Sequence, residues 1–258
     1  MKKEHRFVHG VADFIRAIAG KNKHESTSAV IVAAGDSSRM GENKQFVTLD
    51  GIPVIARTVE AFEKSECIKE IIIVTRKEDI SNIIDLCEKH KFRKVAAVVP
   101  GGTTRQESVK LGFDEVSDKS DFVAIHDGAR CLITPDMVEN ICREAYIYGA
   151  AIAANRVVDT VKRTEKGSFA EETLDRNRIW LAQTPQVFNC NIYRAALYTA
   201  DNDKFTGTDD ASLVEHIGYK SIKLVECGRE NIKLTTPNDI PFAEALLTAR
   251  KRGEVKRK

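Results

Sequence analysis

The chain has 258 residues, enough to enclose the core of one large α/β domain, and its 40 basic and 38 acidic residues leave a net charge of +2. So balanced a chain gives no electrostatic case for a nucleic-acid partner, and no apolar run approaches the roughly 18 residues that crossing a bilayer requires. The six cysteines, Cys67, Cys87, Cys131, Cys142, Cys190 and Cys227, form no C-x-x-C pair and read as reduced thiols of a cytoplasmic protein, not as a disulfide framework or a zinc site.

Residues 1–28 read as an extension. Phe7, Val11, Phe14 and Ile18 recur at helical spacing among His, Arg and Lys, which predicts a short amphipathic helix, followed by the polar linker Lys21–Ser28. The stretch lacks the continuous apolar centre of a secretory signal. From Ala29 to Phe46, AVIVAAGDSSRMGENKQF, an apolar β-branched run passes into a loop of small residues with one arginine and one lysine. Ala33, Ala34 and Gly35 let backbone N–H groups approach an anion, and Arg39 and Lys44 can bring positive charge to the same place. The spacing is neither that of a Walker loop nor that of G-x-G-x-x-G. Taken alone, the stretch equally allows a strand followed by a loop whose cations face water.

Further along, strand and helix alternate. A helix is predicted over Ile52–Phe62, a strand over Ile71–Thr75, a helix over Ile80–His90 and a strand over Val95–Val99. The turn Pro100-Gly101-Gly102 then leads into a helix from Arg105 to Val116, and Phe122–Ile125 is a fourth apolar strand that runs into His126, Asp127, Gly128, Ala129 and Arg130. This alternation predicts a single doubly wound, mostly parallel sheet, in which ligands sit at the carboxyl ends of the strands. Three loops then converge: the one after the first strand, Pro100–Ser108, and His126–Arg130. Asp127 can ligand a metal or accept from a sugar hydroxyl, and Arg130 can hold a phosphate; an Asp–Arg pair capping the next helix is the structural alternative. His126 is expected to pack and hydrogen-bond, not to catalyse.

Thr134-Pro135 opens a helix that runs through Tyr148, and a strand covers Ala150–Ala154. Residues 157–179 read as two polar strands, VVDTVKR and AEETLDRNRI, joined at Glu165-Lys166-Gly167. So polar a hairpin buries little by itself, which predicts an arm that pairs with a second subunit. The core resumes over Trp180–Phe188 and a helix from Ile192 to Thr199. Asp201-Asn202-Asp203 reads as turn chemistry after that helix, with metal binding as the other possibility. Thr208 or Asp209 caps a helix over Ala211–His216. Two closing strands, Ser221–Glu226 and Asn231–Leu234, the second carrying Lys233, precede a helix start at Thr236-Pro237-Asn238-Asp239, and residues 251–258 form a basic tail.

Together AAG…SRMG…KQF, HDGAR, VVDTVKR, LDRNRIW, QTPQVF, GTDDASLVE and NIKLTTPND resemble the 2-C-methyl-D-erythritol 4-phosphate cytidylyltransferases of the non-mevalonate isoprenoid pathway, over about residues 29–247. The resemblance implies a nucleotide-diphospho-sugar-transferase-like domain over residues 29–250 and transfer of a cytidylyl group from CTP to the polyol phosphate, with release of pyrophosphate. Carried over by position, it makes Arg39, Lys44, Arg176 and Lys233 the catalytic cations. Ala33, Ala34, Gly35, Gly102, Ser108 and Asp127 become nucleotide contacts, and Asp127, Arg130, Thr160, Thr184 and Thr208 acceptor contacts. It also implies Mg²⁺, held mainly by the CTP phosphates with Asp127 as the protein ligand, and a homodimer through the 157–179 arm. The sequence departs from the family pattern in a shorter Arg39–Lys44 loop with Asn43 where proline is common, in Cys131 and Thr103, and in its N-terminal extension. A ribitol-5-phosphate cytidylyltransferase, a glycosyltransferase using Asp201-Asn202-Asp203, and a non-catalytic dimeric scaffold are the competing readings.

Overall fold

The computed structural model describes residues 25–35, 40 and 43–253. The expected amphipathic helix, Arg39 and the last residues of the basic tail lie outside the described residues. In chain order the strands are β1 (Thr27–Val32), the two-residue β2 (Thr48–Leu49) and β3 (Ile52–Pro53), β4 (Ile68–Thr75), β5 (Val95–Pro100), β6 (Phe122–Asp127), β7 (Ala150–Arg156), β8 (Val161–Arg163), β9 (Glu172–Leu174), β10 (Trp180–Asn189) and β11 (Ile222–Glu226). The helices are α1 (Val54–Lys64), α2 (Ile80–His90), α3 (Arg105–Asp114), α4 (Pro135–Tyr148), α5 (Cys190–Asp203), α6 (Asp210–His216) and α7 (Asp239–Lys251).

Seven strands form one sheet in the order β11-β7-β10-β6-β1-β4-β5. Every neighbouring pair is parallel except those of β10, which runs antiparallel to both β6 and β7. Because successive strand residues face opposite sides, Ala29 and Ile31 enter one core with α1, α2 and α4, whereas Val30 enters the other with α3, α5 and α6. Burial on both faces is why β1 and β4 read as continuous apolar runs. A third cluster, with Leu49, Val54, Leu132, Leu234 and Ala243, seats α7 beside the small β2–β3 ladder.

The helix ends follow local chemistry. Thr134 caps α4 by accepting from the Met137 N–H, Pro135 occupies its first turn, and Gly149 ends it in the left-handed conformation. Asp209 and Ser212 form a capping box at α6. The doubly wound, mostly parallel sheet is as expected, with three corrections. Each arm strand has three residues, and the turn between them spans residues 164–171, because an exposed ladder with few apolar contacts has little to extend it. Asn231–Leu234 is an extended loop, not a strand: its hydrogen bonds run to Gln183, Thr184, Arg130 and Ala129 instead of to a neighbouring strand. Asp201-Asn202-Asp203 is the last turn of α5, not a loop after it.

Candidate active site

The chain leaves β1 toward β4 and β5 on one side and later returns to β6 on the other, so the order reverses at β1. Val32 and Asp127 are register partners at the ends of β1 and β6. The loops beyond them are tied to the sheet by Ala33 N–H to Val74 O (2.6 Å), Gly128 N–H to Val32 O (2.8 Å) and Gly101 N–H to Thr75 O (2.8 Å). Gly101 is required by close approach: a Cβ there would stand 2.3 Å from Ala34 Cβ and 2.9 Å from Ser108 Oγ. Ser108 in turn accepts from the Gly102 N–H (3.0 Å) and donates to Thr104 O (2.9 Å), while Glu107 accepts from the Thr103 N–H and hydroxyl (both 2.7 Å). A cleft of about 390 Å³ opens between these loops.

Its walls include Ala34, Gly35, Lys44, Gly102, Ser108, Asp127 and Lys233. The structure thereby brings together seven residues singled out from sequence. Ala33 lies buried beside them. Asp127 is the electrostatic centre. Its carboxylate meets Lys233 Nζ at 2.8 Å, Arg105 Nε at 3.3 Å and Arg130 Nε at 3.7 Å. Burial works against its charge, but these three cations outweigh burial and hold its pKa well below the usual carboxylate range.

Below Asp127 a chain of hydrogen bonds fixes the loop. The Asp127 N–H donates to Thr184 Oγ1 (3.0 Å), Thr184 Oγ1 lies 3.1 Å from His126 Nδ1, and His126 Nε2 lies 3.3 Å from Arg130 O. Since Arg130 O can only accept, His126 carries its proton on Nε2 and Nδ1 accepts from the Thr184 hydroxyl. Burial pushes the His126 pKa down to about 3, so the ring is a neutral spacer. Thr184 reaches this position because β10 leaves register with β7 between Ala182 and Gln186, across the Thr184-Pro185 cis peptide.

Thr160 and Arg176 lie exposed on and beside the arm, Arg176 donating to Val158 O (2.5 Å), and neither lines the cleft. Thr208 is also exposed, on the loop before α6. Sequence reasoning missed Arg105, which joins Asp127 to the fully buried Asp210 (2.8 Å), itself held by the Tyr193 hydroxyl (2.8 Å). A signal was present: a cation in the first turn of a helix opposes the helix dipole, so Arg105 at that place calls for an acidic partner. Asn231, which bridges Gln183 and Thr184, was missed as well.

A family model described as 2-C-methyl-D-erythritol 4-phosphate cytidylyltransferase matches residues 27–249. The chain belongs to this family. A relative of that name from Geobacillus kaustophilus is 43% identical over 224 residues, covering 86% of this chain and 97% of its own. One from Caldanaerobacter subterraneus is 42% identical over 225 residues, 86% and 99% of the two chains. The crystal structure of 4-diphosphocytidyl-2C-methyl-D-erythritol synthase from Anaerococcus prevotii superposes with a TM-score of 0.79 at 30% identity, over 87% of this chain and 97% of that one. The cytidylyltransferase from Thermus thermophilus does so with a TM-score of 0.71, also at 30% identity, over 86% and 99%. The ribitol-phosphate, glycosyltransferase and scaffold readings are not favoured by these likenesses. Asp201-Asn202-Asp203 is exposed on α5, with Asp203 bonded to His216 (2.7 Å).

Proposed function

We propose that this chain transfers the cytidylyl group of CTP to 2-C-methyl-D-erythritol 4-phosphate, giving 4-diphosphocytidyl-2-C-methyl-D-erythritol and pyrophosphate as a step toward isoprenoid precursors. The observation that carries the reading, beside family membership, is a cleft at the sheet's switch point in which one ionised carboxylate is ringed by Lys233, Arg105 and Arg130, with Lys44 in the wall. An acceptor phosphate monoester is largely dianionic at neutral pH, since its second pKa is about 6. Its oxygen attacks the α-phosphorus, the bond from that phosphorus to the oxygen bridging to the β-phosphate breaks, and pyrophosphate leaves with the electron pair. No general base is needed: Asp127 is held ionised by its cations and His126 is neutral beneath it. Positioning and charge neutralisation supply the rate.

In this reading Lys44, Lys233 and Arg39 face the triphosphate, and Ala33, Ala34, Gly35, Gly102 and Ser108 hold the cytidine nucleotide. Asp127 takes a hydroxyl and Arg130, Thr184 and Thr208 serve the acceptor. Arg176 and Thr160 complete a site from the arm of a second subunit, which accounts for their absence from the cleft of one chain. The domain spans 29–250, and no helix among the described residues is long and apolar enough to cross a membrane; a cytoplasmic homodimer is the proposed form.

No group of three or more His, Cys, Asp or Glu placed to hold a metal occurs among the described residues. Asp127 is a single carboxylate amid cations, a poor site for a free divalent ion but adequate as one ligand of Mg²⁺ that enters with the nucleotide. Asp127 would hold such an ion from the protein side, and Mg²⁺ would supply neutralisation of the charge on the phosphates. The test is pyrophosphate release with Mg²⁺, offering CTP, UTP, GTP and ATP against methylerythritol phosphate and ribitol 5-phosphate. Turnover confined to CTP with methylerythritol phosphate is expected; preference for ribitol phosphate overturns the acceptor, and no turnover with any pair overturns the reading.

A further inference from the structure

The loop between α5 and α6, residues 205–209, hangs from side chains of other elements. Gln106, in the first turn of α3, donates through Nε2 to Phe205 O (3.2 Å) and accepts through Oε1 from the Gly207 N–H (3.1 Å). Gln186 of β10 donates to Asp209 Oδ2 (2.7 Å) and accepts from the Ala211 N–H (2.9 Å). The Phe205 ring stacks on His216, with centroids 4.1 Å apart and planes 5° apart. Gly207 leaves no slack: a Cβ there would stand 2.4 Å from Ser212 Oγ and 2.9 Å from Asp209 O. Gln106 does not line the cleft, yet its chain neighbours Arg105 and Thr104 do, and the loop it holds carries Thr208.

We propose that Gln106 is a positioning residue for the acceptor: from the nucleotide-side helix it fixes the 205–209 loop where the polyol phosphate is bound. The assignment rests on the cytidylyltransferase reading, which places Thr208 beside the acceptor. Its two hydrogen bonds span both ends of the segment Phe205–Gly207, so truncating Gln106 loosens this segment between the Phe205–His216 stack and the Gln186 bonds, while Thr104 and Ser108 keep the Gly102–Thr104 loop in place. The same contact lets the nucleotide loop and the acceptor loop share one rigid helix end.

Steady-state kinetics of the full chain with CTP, methylerythritol phosphate and Mg²⁺ test it, using Gln106→Ala, Gln106→Glu and Thr208→Ala. For Gln106→Ala the acceptor KM is expected to rise roughly five- to tenfold, the worth of one or two net hydrogen bonds, with the KM for CTP and the thermal midpoint little changed. Gln106→Glu keeps an acceptor for the Gly207 N–H and loses the donor to Phe205 O, so it is expected to fall between. An unchanged acceptor KM in Gln106→Ala, or an equal rise in both KM values, overturns the proposal. A rise with Gln106→Ala but none with Thr208→Ala supports the positioning role and removes Thr208 from the acceptor site, so the two readings fail separately.

Discussion

Lys233 and Lys44 reach one cleft from opposite ends of the chain, and neither is needed to complete a hydrophobic core. Lys233→Ala and Lys44→Ala are each expected to lower kcat by roughly 10²-fold or more, the range seen when a charge-stabilising group is removed, while circular dichroism stays as in the parent. Near-normal turnover in both variants would remove the cations from the chemistry. His126 makes a different prediction. In the unfolded chain it titrates near pH 6.5, and in the native state burial depresses it to about 3. Between these values the unfolded chain binds a proton that the native state refuses, so stability is complete above about pH 6.5 and is lost as pH falls. Urea unfolding from pH 6.5 down to 5 should show this term as a slope that steepens toward about 1.4 kcal/mol per pH unit at the acid end, absent from His126→Gln; equal slopes would refute it. Asp127, depressed by its cations, contributes in the lower window, with stability present above about pH 4 and lost below. The motif HDGAR announced Asp127 and Arg130 in the sequence, because an acid and a base at a strand end have few purposes. Arg105 and Asp210 stayed hidden, since 105 positions of chain separate them and only the fold makes them partners.

The arm, β8 with β9, has one half-buried residue on each strand, the paired Val161 and Leu174, an Arg163–Glu172 ion pair at 3.0 Å and an otherwise exposed ladder. Exposed pairs of this kind stabilise little, so in a lone chain the arm has small means of holding Arg176 in one place. If it acts in a second subunit's site, two inactive variants should rescue each other. Arg176→Ala mixed equally with Lys44→Ala and allowed to exchange is expected to recover about a quarter of parental activity, because half the dimers are mixed and each mixed dimer has one intact site. No recovery in exchanged mixtures would place Arg176 within its own chain's site or outside any site. The helices were readable from their start signals: α2 and α4 end where the sequence pattern ends them, and Asp209 caps α6. Asn231–Leu234 was misread because alternating apolar residues also suit an extended loop whose backbone bonds to side chains. The short reach of β8 and β9 was not legible, since polar strands carry no burial pattern to mark their ends.

Alternating strands and helices disclosed the parallel sheet, but not the place of β10, which enters antiparallel between β6 and β7 and pairs with β6 across more than 60 residues of chain. That insertion also explains Thr184 beneath Asp127. At the level of the whole molecule, three cations around one carboxylate make the cleft repel a divalent ion and attract a polyphosphate. Mg²⁺ alone is therefore expected to leave the thermal midpoint unchanged, whereas CTP with Mg²⁺ at a hundredfold excess over its Kd should add about 2.7 kcal/mol of stability. A midpoint raised by Mg²⁺ alone would show a protein-built metal site instead. The opposite side of the sheet ends on β5, whose Val95, Ala96, Ala97, Val98 and Val99 carry no charge, and where Ala96 falls out of register between the pairs Ile71–Val95 and Ile72–Ala97. An uncharged edge is a template for strands of other molecules, and here the bulge at Ala96 and the proline at position 100 are what interrupt it. Handling at high concentration therefore has its weak point at β5, and a lysine at the exposed Ala96 is the place to begin improving solubility without touching the cleft.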